Sequence, residues 1–148
     1  MTMSREENKA IVRRLGEAIH SGSLDAFDEI LAPDYVRNDP TSLLKNADRE
    51  KIKQSVALFH GAFPDFQLTE EELLTDGDKV MGRWAFQGTH TGPFGKLPPS
   101  GKQVTFPIFT IYRIENGRIA EDWHLFDALG FWEQLVPEVG ELLAKAQG

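Results

Sequence analysis

The sequence predicts one α+β domain, a cone-shaped, curved antiparallel sheet wrapped by N-terminal helices, and three observations predict it. Helix-period apolar stripes fill the chain up to Phe63. Period-two patterns rich in aromatic residues take over after Pro64. Val104 to Asp127 then reads as one long hairpin around Asn116-Gly117. Helices first and strands afterwards exclude a parallel βαβ fold, which needs the two element types to alternate. The 148 residues fit a single domain over 1–148, long enough to bury a core without disulfides or metals to staple it.

Taken in order, Ser4 followed by Glu7 is a capping-box signature, and Ile11, Val12, Leu15, Ala18 and Ile19 recur on one helical face behind it. Gly22 ends that helix. Leu24, Phe27, Ile30 and Leu31 form a shorter helical stripe before Pro33, and no element is assigned to the stretch Asp34 to Leu44. Asp48 caps a third helix carrying Ile52, Val56, Phe59 and Phe63, which Pro64 stops. Phe66 and Leu68 alternate into a strand, Asp76-Gly77 is a turn signal, and Lys79 to His90 is the next strand. The Gly- and Pro-rich segment Gly88 to Gly101 leads to the hairpin. Leu129 to Leu135 and Glu138 to Ala146 look helical, separated by Pro137.

Composition removes several function classes. A net charge of −7 with no basic stripe argues against nucleic acid or an anionic membrane as partner, since both require clustered Lys and Arg. Met1 to Asn8 has no apolar signal core, and a cytoplasmic location is expected. The chain has no cysteine, which excludes disulfides, thiolate nucleophiles and Cys-ligated zinc. Its four histidines, His20, His60, His90 and His124, lack metal-binding spacing, so no metal site is expected.

Unbroken alternation from a two-residue Asn116-Gly117 turn would set Ile114 opposite Ile119, Tyr112 opposite Glu121, Thr110 opposite Trp123, Ile108 opposite Leu125 and Phe106 opposite Asp127. All ten would then share one face, apolar with a few polar groups, as a small-molecule pocket requires. The other face carries Phe109, Ile111, Asp122, His124 and Phe126. It is apolar enough to need covering, which predicts a homodimer through the outer sheet face and gives His124 an interface role. Asp127, beside Phe106, Trp123 and Leu125, would resist ionisation and serve as a general acid/base. The plainer alternative is that Asp127 caps the helix starting near Ala128. His90 and Asn38, at a strand end and before a Pro-containing turn, are candidates to orient a ligand oxygen; the alternative is that they stabilise their own loops. Trp84, Phe86, Phe106, Ile108, Thr110, Tyr112, Trp123 and Leu125 are the expected substrate-binding residues.

Read end to end, the chain resembles the SnoaL-like polyketide cyclase family of the nuclear transport factor 2-like superfamily. The resemblance is carried by Asp34-Tyr35-Val36 with Asn38-Asp39-Pro40, by Ala62-Phe63-Pro64-Asp65 and by Gly77-Asp78-Lys79-Val80. It continues through Arg83-Trp84, Gly88-Thr89-His90-Thr91-Gly92 and Pro99-Ser100-Gly101-Lys102 to Tyr112-Arg113-Ile114, Gly117-Arg118-Ile119, Glu121, Trp123, Asp127 and Gln134-Leu135. The resemblance implies an α+β barrel of the nuclear transport factor 2-like or cystatin-like kind and ring closure by an intramolecular aldol condensation without metal or cofactor. It also implies Asp127 as acid/base. Where this chain has Asn38, members often carry histidine, and Leu125, Ile108 and Phe109 stand where characterised cyclases place polar groups.

The leading expectation is therefore a cofactor-independent enzyme acting on a small hydrophobic carbonyl compound, with Asp127 moving the proton and His90 or Asn38 orienting the oxygen. Ketosteroid-isomerase-like chemistry on the same scaffold is one alternative; epoxide hydrolysis ranks below it, because Arg113 has the wrong parity to face the pocket. A non-catalytic dimeric binding protein for an apolar metabolite is the other.

Overall fold

The computed structural model describes residues 3–42 and 45–148. Helix α1 spans Arg5–Ser21 behind the expected capping box, Ser4 Oγ accepting from the Glu7 N–H while the Glu7 carboxylate accepts from the Ser4 N–H. A 3-10 turn, Leu24–Ala26, runs into the single turn of α2, Phe27–Ile30. The strands β1 (Leu31–Asp39) and β2 (Lys45–Asp48) precede α3 (Arg49–Ala62), whose first turn is capped by Asp48. Then come β3 (Gln67–Asp76), β4 (Lys79–Thr89), β5 (Gln103–Glu115), β6 (Arg118–Phe126), α4 (Ala128–Leu135) and α5 (Pro137–Gln147).

The α+β class is as expected, and the six strands form one curved sheet in the order β2-β1-β6-β5-β4-β3. Two features correct the expectation of an antiparallel barrel. The sheet does not close, and β1 runs parallel to β6, so the sheet is mixed. Leu31 opens β1 rather than ending the second helix, and the unassigned stretch supplies the rest of that strand; Leu43 and Leu44 lie outside the described residues. Pro33 was a poor guide because it sits in the irregular part of β1, between the paired Leu31 and Val36, where a missing N–H breaks no ladder bond.

The helices cover one face of the sheet. The stripe Ile11, Val12, Leu15 and Ala18 of α1 packs with Ile52 and Val56 of α3, Tyr35 of β1, Trp84 of β4 and Tyr112 of β5 in one core cluster. A second cluster is built from rings: Phe63, Phe66, Phe86, Phe106 and Phe131, joined by Ala62, Val104 and Leu135. The partly buried Ile19, Leu68 and Ile108 contact both clusters and form the seam between them.

The turn at the hairpin tip is as the Asn-Gly pair predicts, with Asn116 at φ 52° and Gly117 at φ 76°. Beyond the tip, the pairing departs from strict alternation. Ile114 pairs with Ile119, but Arg113 pairs with Glu121, so Ala120 is an extra residue in β6, a β-bulge. Past the bulge every β6 side chain changes face. Asp122, His124 and Phe126 therefore join Phe106, Ile108, Thr110 and Tyr112 beneath the helices, while Trp123 and Leu125 point outward, 40% and 49% exposed. The expected single face of ten residues is thereby split, and the interface role for His124 is replaced by an inward one. Asp127 leaves the sheet altogether.

Candidate functional site

Three adjacent rungs of the inner sheet face define the site. The first is Val80–Tyr112–Asp122, extended to Arg37 on β1; the second is Gly82–Thr110–His124; the third is Trp84–Ile108–Phe126. The middle rung carries small side chains at two of its three positions, so it forms a trough between bulkier neighbours. Gly82 is required there: a Cβ on it would sit 2.5 Å from Trp84 Nε1, so the indole lies directly over that glycine.

Electrostatics on the first rung is closed within itself. The fully buried Asp122 carboxylate accepts from Arg37 Nε at 2.9 Å and Nη2 at 3.1 Å, and from the Tyr35 hydroxyl at 2.6 Å. This bidentate, charge-assisted pair satisfies a charge that burial would otherwise make very costly. Burial disfavours a charged Arg37, yet the adjoining Asp122 more than reverses this and holds the guanidinium protonated. Burial raises the Tyr35 hydroxyl far above its ordinary value and pushes Tyr112 up to about 12, so both stay protonated donors at neutral pH.

The middle rung carries the group that can exchange a proton. His124 Nδ1 lies 2.9 Å from Thr110 Oγ1, and burial, reinforced by the Arg37 charge, lowers its pKa well below the usual histidine range. It is a neutral imidazole at physiological pH. Beside it the Tyr112 hydroxyl lies within hydrogen-bonding reach of both Thr110 and the Trp84 indole nitrogen, which is buried and makes no well-aligned hydrogen bond among the described residues.

The three residues expected to be catalytic are not brought together. Asp127 is exposed, and its carboxylate accepts from the Gly130 N–H at 2.9 Å as the N-cap of α4. A Cβ at Gly130 would collide with that carboxylate, so the sequence at 130 is fitted to the cap. The expectation of Asp127 in an enclosed apolar pocket is thus corrected: the bulge and the helix start carry it off the inner face. Asn38 pairs with Trp123 on the outer face, where its amide donates to Glu121 Oε2 and to the Asp122 carbonyl, both at 3.1 Å. His90 does face inward, but it lies eight residues along β4 from Gly82, roughly 26 Å at the rise of a strand. Its Nδ1 accepts from the Ser100 hydroxyl at 2.9 Å and the Ser100 N–H at 3.2 Å, which ties down the loop before β5 and leaves the proton on Nε2.

Of the expected substrate-binding residues, Trp84, Phe86, Phe106, Ile108, Thr110 and Tyr112 share the inner face; Trp123 and Leu125 do not. Those two, with Asn38, Pro40, Met81, Phe109 and Ile111, line an open groove of about 470 Å3 that Thr110 and His124 of the middle rung also border. Sequence reasoning missed Tyr35, Arg37 and Asp122 and misplaced His124. One signal could have found them: strict alternation sets Glu121 against Tyr112, whereas slipping β6 by one residue sets it against Arg113, and the two charges do meet at 3.4 Å.

Solved structures support the same architecture. IdmH, a proposed polyketide cyclase from Streptomyces antibioticus, is 29% identical with a TM-score of 0.76, covering 86% of this chain and 97% of its own. A proposed polyketide cyclase from Acidithiobacillus ferrooxidans is also 29% identical, with a TM-score of 0.77 over 90% of this chain and 97% of its own. AclR from Streptomyces galilaeus, a proposed hydroxylase, shares the fold at 22% identity, with a TM-score of 0.77 over 93% of this chain and 98% of its own. No curated protein is significantly similar. The family model for SnoaL-like polyketide cyclases matches residues 9–135, nearly the whole of the sheet and the helices that cover it. With the sequence motifs, the sheet order and this match in agreement, the chain belongs to the SnoaL-like polyketide cyclase family.

Proposed function

We propose that this protein closes a ring in a small, apolar, polycarbonyl compound by intramolecular aldol chemistry, using His124 rather than Asp127 as the proton carrier and no cofactor. Neutral His124 takes a proton from a carbon flanked by carbonyls. The resulting enolate carbon attacks a second carbonyl carbon of the same molecule, forming the C–C bond, and the new alkoxide recovers the proton from the imidazolium. A low imidazole pKa makes His124 a modest base but its imidazolium a ready acid, so the return step is fast. Trp84, Phe86, Phe106 and Ile108 would hold the apolar body of the substrate.

The observation that supports this reading most is the His124–Thr110 pair inside the apolar, helix-covered face of a cyclase-family fold. The test is loss of α-proton signal from 2-tetralone in deuterium oxide, followed by NMR. The wild type should exchange well above buffer, and His124→Gln should lower that rate by roughly 100-fold or more. Exchange no faster than buffer, or unchanged in the variant, would overturn the proposal; binding without exchange would point to a carrier instead.

The same reading includes a homodimer through the outer sheet face. Phe109, Trp123, Leu125 and Met81, 40–49% exposed, form an apolar surface of the kind that subunits cover. A species of twice 16.6 kDa in sedimentation is expected, and a monomer at micromolar concentration would count against it. A cytoplasmic location fits a chain with no cysteine and a charge of −7, and among the described residues no helix is long and apolar enough to cross a membrane.

A further inference from the structure

We infer that the space filled by Phe94, at the end of the aromatic cluster, is a binding site for an aryl ring of the ligand, and that residues 93–99 form a flap which carries Phe94 out when the ligand enters. This rests on the proposed reading of a small apolar substrate and deepens it, naming the flat aromatic end of that substrate and its way in.

The flap is longer than the fold needs. Thr89 and Gln103 pair across β4 and β5, so a two-residue turn could join those strands, yet the chain makes a detour over residues 90–102. Connections longer than about 12 residues without secondary structure of their own are uncommon and usually serve a function. The neck of the detour is fixed. The His90 N–H donates to the Lys102 carbonyl at 2.9 Å, the Gly101 N–H donates to the His90 carbonyl at 2.8 Å, and Ser100 holds the His90 ring. The Thr91 and Gly92 N–H groups both donate to the Ala62 carbonyl at 3.1 Å, and a Cβ at Gly92 would collide with the Gly61 carbonyl. The tip is held far less. Among the described residues, 93–99 make only the mutual backbone bonds of Phe94 and Leu97, each 2.9 Å, which close a turn with Gly95 at φ 59°. Pro93, Gly95, Lys96, Pro98 and Pro99 are exposed, so the half-buried Phe94 and Leu97 alone hold the tip against the cluster. A segment with so little burial and so few hydrogen bonds opens at small cost.

The site beneath it is shaped for a flat ring. Phe94 meets Phe59 of α3 and Phe131 and Trp132 of α4 nearly at right angles, 69°, 70° and 72°, with ring centroids 5.3, 5.5 and 5.9 Å apart. This is the edge-to-face geometry that aromatic pairs favour. A ligand's aryl ring in place of Phe94 would inherit it, whereas a saturated ring has no quadrupole with which to do so. The rings continue from Phe131 to Phe126 at 6.3 Å and from Phe126 to His124 at 6.2 Å. A ligand seated by its aryl end therefore lies along the path to the imidazole.

The test follows the flap rather than turnover. Saturating 2-naphthol, added to the full-length wild type, should speed hydrogen–deuterium exchange at the Phe94 and Leu97 amides by about 10-fold or more and leave the β4 and β5 amides unchanged, because so small a turn does not hold in water once its apolar side chains leave the cluster. Decahydro-2-naphthol, the same outline without the aromatic ring, should bind at least about 10-fold more weakly. Phe94→Ala, which removes the competing ring, should bind 2-naphthol about 10-fold more tightly than the wild type does. No binding of 2-naphthol by the wild type, binding without faster exchange at Phe94 and Leu97, or equal affinity for the saturated compound would each overturn the inference, and none of these results depends on a variant. Unaltered affinity in a folded Phe94→Ala protein would do the same. The two readings fail separately. Loss of 2-tetralone exchange with the flap response intact removes His124 as the base and leaves the aryl site, while 2-tetralone exchange without a flap response does the reverse.

Discussion

An imidazole held beneath the helices makes stability depend on pH in a direction that can be worked out. Burial lowers the pKa of His124 well below 6.5, with Arg37 adding to the effect, and burial also lowers that of His90, the Gly92 backbone partly opposing it. In the unfolded chain both would bind a proton near pH 6.5, so below that value the unfolded state holds more protons than the folded one. Stability should therefore be level above about pH 6.5 and decline as the pH falls beneath it, until the folded-state values are reached. Thermal melts between pH 7.5 and 5.0 should record the decline, and His124→Gln should lessen it, leaving the share that His90 contributes. A melting temperature that is constant over this range would contradict the desolvation of both rings. Asp65, whose carboxyl is lowered by hydrogen bonds from Thr89, acts only at more acidic pH and does not confuse the reading.

At the scale of elements, α4 depends on the residue that precedes it. The helix has eight residues, and it matters because Phe131 and Leu135 close the aromatic cluster against Phe63 and Phe106. The Asp127 side chain caps its first turn. Asp127→Ala should cost about 1 kcal/mol in urea denaturation, whereas Asp127→Asn, an equally good cap, should cost only a few tenths. If Asn proved as damaging as Ala, the carboxylate charge would matter beyond capping, and the exposed placement of Asp127 would need revision. The bulge at Ala120 is the other decisive local feature. Ile119 and Ala120 are both buried although adjacent, which a regular strand does not allow, and this single extra residue determines that His124 and not Trp123 faces the helices.

For the whole molecule, the sheet has one face under helices and one in the open. Phe109 and Leu125, paired across β5 and β6 and each 49% exposed, stand at the centre of the outer face. Phe109→Lys combined with Leu125→Lys should convert the proposed dimer to a monomer in sedimentation while leaving far-ultraviolet circular dichroism unchanged. Loss of folding, or an unaltered dimer, would place the contact elsewhere.

Most of the fold was legible in the sequence because local rules write it: Ser4 and Glu7 cap α1, Asp48 caps α3, Asn116-Gly117 fixes the hairpin tip, and apolar periods mark helix from strand. These signals act between near neighbours, so one chain suffices to read them. The site was legible only on β4 and β5, where Trp84, Phe86, Phe106, Ile108, Thr110 and Tyr112 keep strict alternation. What the tertiary structure alone decided was the pairing of β1 with β6 and the bulge that turns Asp122 and His124 inward. Both are contests between distant groups, since burying Asp122 is tolerable only because Arg37 and Tyr35, far away in sequence, arrive to satisfy it.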